Sequence, residues 1–165
     1  MRVGVISDTH GLLRPEALRA LDGADHLLHA GDVGHPDVLT ALAQLAPLTA
    51  IRGNVDEPAA VRRSRRRNKP DPAWAQHLPD AVTVTLAGVP VHLVHDRKAL
   101  TVTPPVRVVV SGHSHQPALD AADGVLFLNP GSAGPRRFSL PVTVAWLDLS
   151  GPAPRADIVP LPLVF

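Results

Sequence analysis

Five apolar runs in this chain each end in a short polar cluster: VGVISDTH (3–10), HLLHAGD (26–32), LTAIRGN (48–54), VHLVHD (91–96) and VRVVVSGHSH (106–115). Runs of Val, Ile and Leu of this length read as buried strands. A strand that ends in Asp, His or Asn carries those side chains at its carboxyl end, and in α/β sheets that edge is where ligands bind. If the five ends converge, Asp8, His10, Asp32, Asn54, His95, His113 and His115 share one pocket. Carboxylate, amide and imidazole in that number make a ligand set for two metal ions. Thiolate plays no part, because the 165-residue chain has no cysteine. That also excludes disulfides and cysteine nucleophiles.

The length fits one domain, 1–165, with a real core. With 45% hydrophobic and only 3% aromatic residues, that core must be built from Val, Leu, Ala and Ile. A formal net charge of +1 is too small to imply nucleic acid by itself. No apolar stretch is long enough to cross a bilayer, so no membrane role is expected. The chain opens on a strand at MRVGVISDTH with no signal-peptide pattern, so a cytoplasmic location is expected.

The first half alternates strand and helix: strands at 2–6, 26–30 and 48–52, helices near 15–22 and 36–46, each helix with a proline at its start. Such β–α–β units imply parallel pairing. The stretch 57–79 breaks the pattern with a basic block, Arg62, Arg63, Arg65, Arg66, Arg67 and Lys69, and reads as an inserted exposed loop. From 80 onward the signals are all-β. DAVTVTLAG and VPVHLVHD form a hairpin about Gly88, and a second turn is expected at Asp123-Gly124. Pro160 and Pro162 place the last strand at a sheet edge.

Asp8 and His10 are two apart, so on an extended segment both side chains point the same way and can grip one cation. His113 and His115 repeat the device, and Gly112 before them permits a close backbone approach. Gly31-Asp32 offers a lone carboxylate and Gly53-Asn54 a neutral amide oxygen. Each piece alone has a bland reading as a turn or a satisfied polar residue. The ordered set, each piece behind an apolar run, is hard to obtain by chance.

With these motifs, and with Asn129-Pro130-Gly131-Ser132 and Pro135-Arg136 later in the chain, the sequence resembles the calcineurin-like metallophosphoesterase superfamily, in particular its small bacterial and archaeal phosphodiesterase branch. The resemblance implies an α/β fold, a four-layer α/β/β/α sandwich of two mixed sheets with outer helices. It implies that Asp32 bridges two divalent cations. Asp8, His10 and His115 would complete one site, and Asn54, His95 and His113 the other. Hydrolysis of a small phosphodiester by a metal-bridging hydroxide would follow, with Asp32 and Asn54 catalytic and Asn54 and Arg136 touching substrate. Manganese is the first expectation, and Fe, Co, Ni or Zn also suit the ligands. A homo-oligomer is compatible with the pattern. Two other readings stay open: a non-catalytic scaffold on the same fold, similar to the retromer scaffold subunit, and a nucleic-acid-processing phosphodiesterase guided by the basic loop.

Three departures separate this chain from many relatives. Val55 stands where they carry a histidine, Asp96 follows His95 where they carry glycine, and the link to His113 is short and contains Pro104-Pro105. Among the remaining polar residues, His29 either orients Asp32 or is a buried strand histidine. Asp56 is expected to support the Asn54 loop, and the NPGS segment to pack beneath the site. Val55 cannot donate a proton to a leaving group, so diesters and activated esters are the expected substrates. A Val55→His variant should gain activity toward phosphate monoesters with poor leaving groups by about 10²-fold or more. A parallel assay of phenyl phosphate and a p-nitrophenyl diester checks this, and no gain would contradict the assignment.

Overall fold

The computed structural model describes residues 1–58, 73–101 and 105–162. Two five-stranded sheets face each other. The first is built from β1 (Arg2–Ile6), β2 (His26–His29), β3 (Leu48–Ala50), β9 (Thr143–Asp148) and β10 (Arg155–Pro160), in the order β10-β9-β1-β2-β3. β1, β2 and β3 run parallel, joined by α1 (Pro15–Ala20) and α2 (Pro36–Ala43), while β9 and β10 add antiparallel. The second contains β4 (Ala81–Leu86), β5 (Val89–Val94), β6 (Val108–Val110), β7 (Ala118–Ala122) and β8 (Val125–Asn129), in the order β4-β5-β6-β8-β7. Here β5, β6 and β8 are parallel. Both sheets are therefore mixed, and β10, with Pro160, is an edge strand as its prolines require.

Side-chain alternation sorts the core into two layers. Val3 and Val5 of β1, Leu28 of β2 and Leu147 of β9 meet Val91, Leu93, Val108, Val110 and Leu128 between the sheets. Ile6, Leu27 and Val144 point the other way and pack under Ala17, Leu21, Val38 and Leu42 of the helices. Each fully buried Val or Leu contributes about 1.5–3 kcal/mol, so aliphatic residues suffice for a chain this poor in aromatics. The two hairpins close on Ala87-Gly88 and Asp123-Gly124, where all four residues have positive φ (48, 77, 52 and 77°). That is the type I′ geometry whose twist matches paired strands.

Both α-helices cover the first sheet. On the outer face of the second, the described residues place only the short 3-10 turn Arg97–Ala99. Its Arg97 guanidinium lies 4.0 Å from the Phe127 ring and pairs with Asp120 at 2.9 Å. Among the described residues the fourth layer is thus much thinner than the first. Among the described residues no helix is long and apolar enough to cross a membrane. The basic block at 62–69 and Pro104 lie outside the described residues.

Candidate metal centre

The parallel strands of both sheets deliver their carboxyl ends to one place. Asp8 and His10 follow β1, Asp32 follows β2, Asn54 follows β3, His95 follows β5, and His113 and His115 follow β6. One donor atom from each of Asp8, His10, Asp32 and His115 lies within 4.8 Å of the others. His115 Nε2 is 3.3 Å from Asp8 Oδ1 and 3.3 Å from His10 Nε2, and His10 Nε2 is 3.6 Å from Asp32 Oδ2. Donors that share one cation at roughly 2.0–2.2 Å sit about 3–4 Å apart, so these spacings fit one coordination sphere.

The second oxygen of Asp32 faces elsewhere. Asp32 Oδ1 is 3.4 Å from His95 Nε2 and accepts the Val55 N–H at 3.0 Å. The His113 ring stands edge-on to His95, centroids 5.3 Å apart. Asn54 is exposed and lines the same cavity of about 280 Å³ with His10, Asp32, Val55, His113, His115 and Arg137. Asp32 therefore lies between two groups of donors, one oxygen toward each.

A cation fits the polar atoms that the fold leaves over. Asp8 Oδ1, His95 Nε2 and His115 Nδ1 are buried without a hydrogen-bond partner. An orphaned buried polar atom costs about 1–3 kcal/mol, and three in one cluster are tolerated where another ligand meets them. The opposite atoms are fully engaged. Asp8 Oδ2 accepts from Ser7 Oγ at 2.6 Å and His113 N at 3.2 Å, and His95 Nδ1–H donates to the Ala30 carbonyl at 2.7 Å. Asp8 and His95 are thus fixed from behind with one unpartnered atom turned inward, while His115 turns Nε2 toward Asp8 and His10 and leaves Nδ1 unpartnered.

The backbone is strained where it presents these groups. Asp8, His10, Asp32, His113 and His115 all have φ between 49 and 67°. Asp and His tolerate the left-handed region better than most residues, at a cost of roughly 1 kcal/mol or more each. This corrects one expectation: Asp8/His10 and His113/His115 are not extended pairs. They converge through paired left-handed residues, with Thr9 and Ser114 between them turned to support. Thr9 Oγ1 donates to the Val33 carbonyl and accepts from His29 Nε2 at 2.9 Å, while His29 Nδ1 accepts the Gly31 N–H at 3.2 Å. His29 thereby ties the Asp8 loop to the Asp32 loop.

Other residues brace the loops. The Asp56 carboxylate accepts the N–H groups of Val33, Gly34 and Gly53, each at 2.9 Å, and pins the Asp32 loop to the Asn54 loop. Asn129 Nδ2 donates to the Gly112 carbonyl at 2.8 Å, and Ser132 Oγ donates to the Asp8 carbonyl at 2.9 Å. The NPGS turn therefore packs under the site. A Cβ on Gly112 would strike Ser7 Oγ and Asp8 Oδ2, and one on Gly53 would strike Asp32 and His95. Both glycines are demanded by close approach. Asp96 caps the turn after β5 by accepting the Lys98 N–H at 2.9 Å, with Oδ2 3.9 Å from His113 Nε2.

Arg136 and Arg137 are both exposed, and it is Arg137, not Arg136, that lines the cavity, with Nη2 3.4 Å from His10 Nε2. The sequence argument missed Arg137. The motif marks the adjacent Arg136, whereas the direction of each side chain depends on the turn closed by the Leu140 N–H on the Arg137 carbonyl.

Electrostatics keep protons where cations would go. Burial pushes the Asp8 carboxyl up to about 6, against the pull of His95 and Ser7. Burial also opposes charge on Asp32, but the His95 contact and the Val55 N–H bring it down to about 2. Burial disfavours the His95 imidazolium too, yet Asp32 and Asp8 raise it to about 9. Burial and then the Arg137 charge lower His115, leaving its imidazole free to ligate.

A model of the calcineurin-like phosphoesterase superfamily domain matches residues 1–151. A probable metallophosphoesterase of Methanothermobacter thermautotrophicus is 33% identical over 170 residues, covering 96% of this chain and 92% of that protein. Among solved structures, a novel archaeal phosphodiesterase superposes with a TM-score of 0.69 at 22% identity, covering 96% of this chain and 100% of that one. Vps29 of Entamoeba histolytica complexed with zinc does so with a TM-score of 0.66 at 19% identity, covering 97% and 99%. The chain belongs to the calcineurin-like phosphoesterase superfamily, and its metal-type ligand cluster is that of a metal-dependent phosphoesterase family.

Because Asp8 is protonated below about 6 and His95 below about 9, cations must displace those protons. Metal uptake should therefore release protons, more at pH 5 than at pH 7, so affinity weakens as pH falls. Calorimetric titration with manganese in two buffers of different ionisation enthalpy checks this. Uptake without proton release would contradict it.

Proposed function

We propose that this chain is a phosphodiesterase that works with two divalent cations, manganese first among them, on a small diester or activated ester. The observation that carries the reading is Asp32, whose Oδ2 faces His10 at 3.6 Å and whose Oδ1 faces His95 at 3.4 Å. Asp8, His10 and His115 would hold one cation with Asp32, and His95, His113 and Asn54 the other. Bound there, the cations would supply Lewis-acid charge to the phosphoryl oxygens and acidify the attacking water.

The chain's own groups do the rest. Asp32, ionised down to about pH 2, keeps its negative charge between the two donor sets at every working pH. Asp8 and His95 hold their outward atoms in fixed hydrogen bonds, so the inward atoms need no rearrangement during reaction. Asn54, exposed at the cavity, offers an amide to a phosphoryl oxygen. Arg137 adds a guanidinium beside it, a geometry suited to phosphate. Val55 lines the wall where an acid would stand, so the leaving group departs without protonation from that side. A good leaving group is therefore required, which favours activated esters and diesters over simple monoesters.

A scaffold role on this fold is the competing reading, since Vps29 proteins share it. Retention of all seven ligand-type residues favours the enzyme. Asp32→Ala should lower hydrolysis of bis(p-nitrophenyl) phosphate by more than about 10³-fold and reduce bound metal at both positions. His115→Ala should remove one equivalent preferentially. Elemental analysis alongside the chromogenic assay checks both. A manganese-loaded parent protein with no turnover of any diester would favour the scaffold.

A further inference from the structure

The loop after Ala133 reaches the cavity at Arg137 and carries Pro135, Arg136, Arg137, Phe138 and Ser139, all exposed. Phe138 is 94% exposed, whereas the next most exposed large hydrophobic among the described residues, Leu119, is 43% exposed. Its φ is 53°, a conformation that a bulky residue rarely adopts. The Leu140 N–H to Arg137 carbonyl bond, 3.1 Å, closes a turn with Phe138 at its first central position. A positive φ there favours Gly, Asn or Asp. Neither the exposure nor the strain stabilises the fold, so packing gives no reason for an aromatic at this position.

Its location does give a reason. The preceding residue, Arg137, lines the ligand cavity 3.4 Å from His10 Nε2, and Phe138 stands next to it as a bare ring. The ring's chain neighbours are Pro135, Arg136, Arg137 and Ser139, with no broad apolar patch among them. A protein or lipid partner is served by a contiguous apolar surface. One exposed ring directly after two arginines in the chain instead suits a base attached to a phosphate, because every base has a π-face and the phosphate meets the cations.

We propose that Arg137 and Phe138 form a lip that recognises a nucleotide arm of the diester, Arg137 on a phosphoryl oxygen and Phe138 stacked on the base. This rests on the phosphodiesterase reading for its substrate and narrows that substrate to nucleotidyl esters. Arg136, exposed beside them, adds positive charge toward a neighbouring phosphate.

The test compares two esters with the same leaving group, thymidine 5′-(p-nitrophenyl phosphate) and methyl p-nitrophenyl phosphate, on the manganese-loaded protein. In Phe138→Ala the ratio of kcat/KM for the nucleotidyl to the methyl ester should fall about 5–30-fold, and Phe138→Trp should keep it. Anisotropy of a fluorescein-labelled oligothymidylate, read without added metal, gives a second readout. Phe138→Ala should weaken binding about 5-fold or more, and Arg137→Gln should flatten its salt dependence. Phe138→Gly, which relieves the strained φ, should melt no lower than the parent, as a purely structural phenylalanine would not allow. An unaltered ratio with unaltered oligothymidylate binding overturns the lip, as does a parent that binds no oligothymidylate or an equal loss in Phe138→Trp. If the parent hydrolyses neither ester, the phosphodiesterase reading fails, and the anisotropy still decides the lip. If the methyl ester is hydrolysed and neither the ratio nor oligothymidylate binding moves, the lip alone fails.

Discussion

One carboxylate organises this molecule. Asp32 sits at the end of β2, nearly buried, with each oxygen turned to a different set of donors. A buried charge in that position is costly unless opposite charge meets it from both sides. The nearby imidazoles and the Val55 N–H supply part of that. The unpartnered inward atoms of Asp8 and His95, Oδ1 and Nε2, mark where the rest belongs. Those atoms, together with the carboxylate and imidazole donors gathered around Asp8 and Asp32, are the basis of the metal assignment.

The fold serves this arrangement from both sheets. β1, β2 and β3 bring Asp8, His10, Asp32 and Asn54 from one side, and β5 and β6 bring His95, His113 and His115 from the other. Neither sheet alone holds a complete set. The core between them, with Val5, Leu28, Leu93 and Val110 buried, fixes their separation. Strain in five left-handed ligand residues is held by Asp56, His29, Asn129 and Ser132, which tie the loops to one another. Costs in the loops are thus met by hydrogen bonds beneath them and by the packed sheets.

Much of this was legible in the chain. Apolar runs ending in Asp, His or Asn marked the strands that carry the site, because burial on both faces leaves a continuous hydrophobic signature. Gly88 and Asp123-Gly124 marked hairpins, because type I′ turns need positive φ. The backbone direction of Asp8 and His113 was not legible. Spacing of two implied a pleat, whereas contacts from Ser7, Val33 and Gly112 impose left-handed turns that no local pattern records. The thin outer layer over the second sheet showed only as a short proline-containing link. The exchange of Arg136 for Arg137 at the cavity has the same origin: a motif fixes a neighbourhood, and a single turn decides which side chain faces inward.

The central claim is that Asp32 stands between two cations. Crystals grown with manganese, with anomalous differences recorded at the manganese edge, test it directly. The account predicts two peaks about 3.5–4 Å apart, one on each side of the Asp32 carboxylate, the first touching Asp8, His10 and His115 and the second touching Asn54, His95 and His113. A single peak with Asp32 at its margin, or no peak with the seven side chains turned apart, would contradict it.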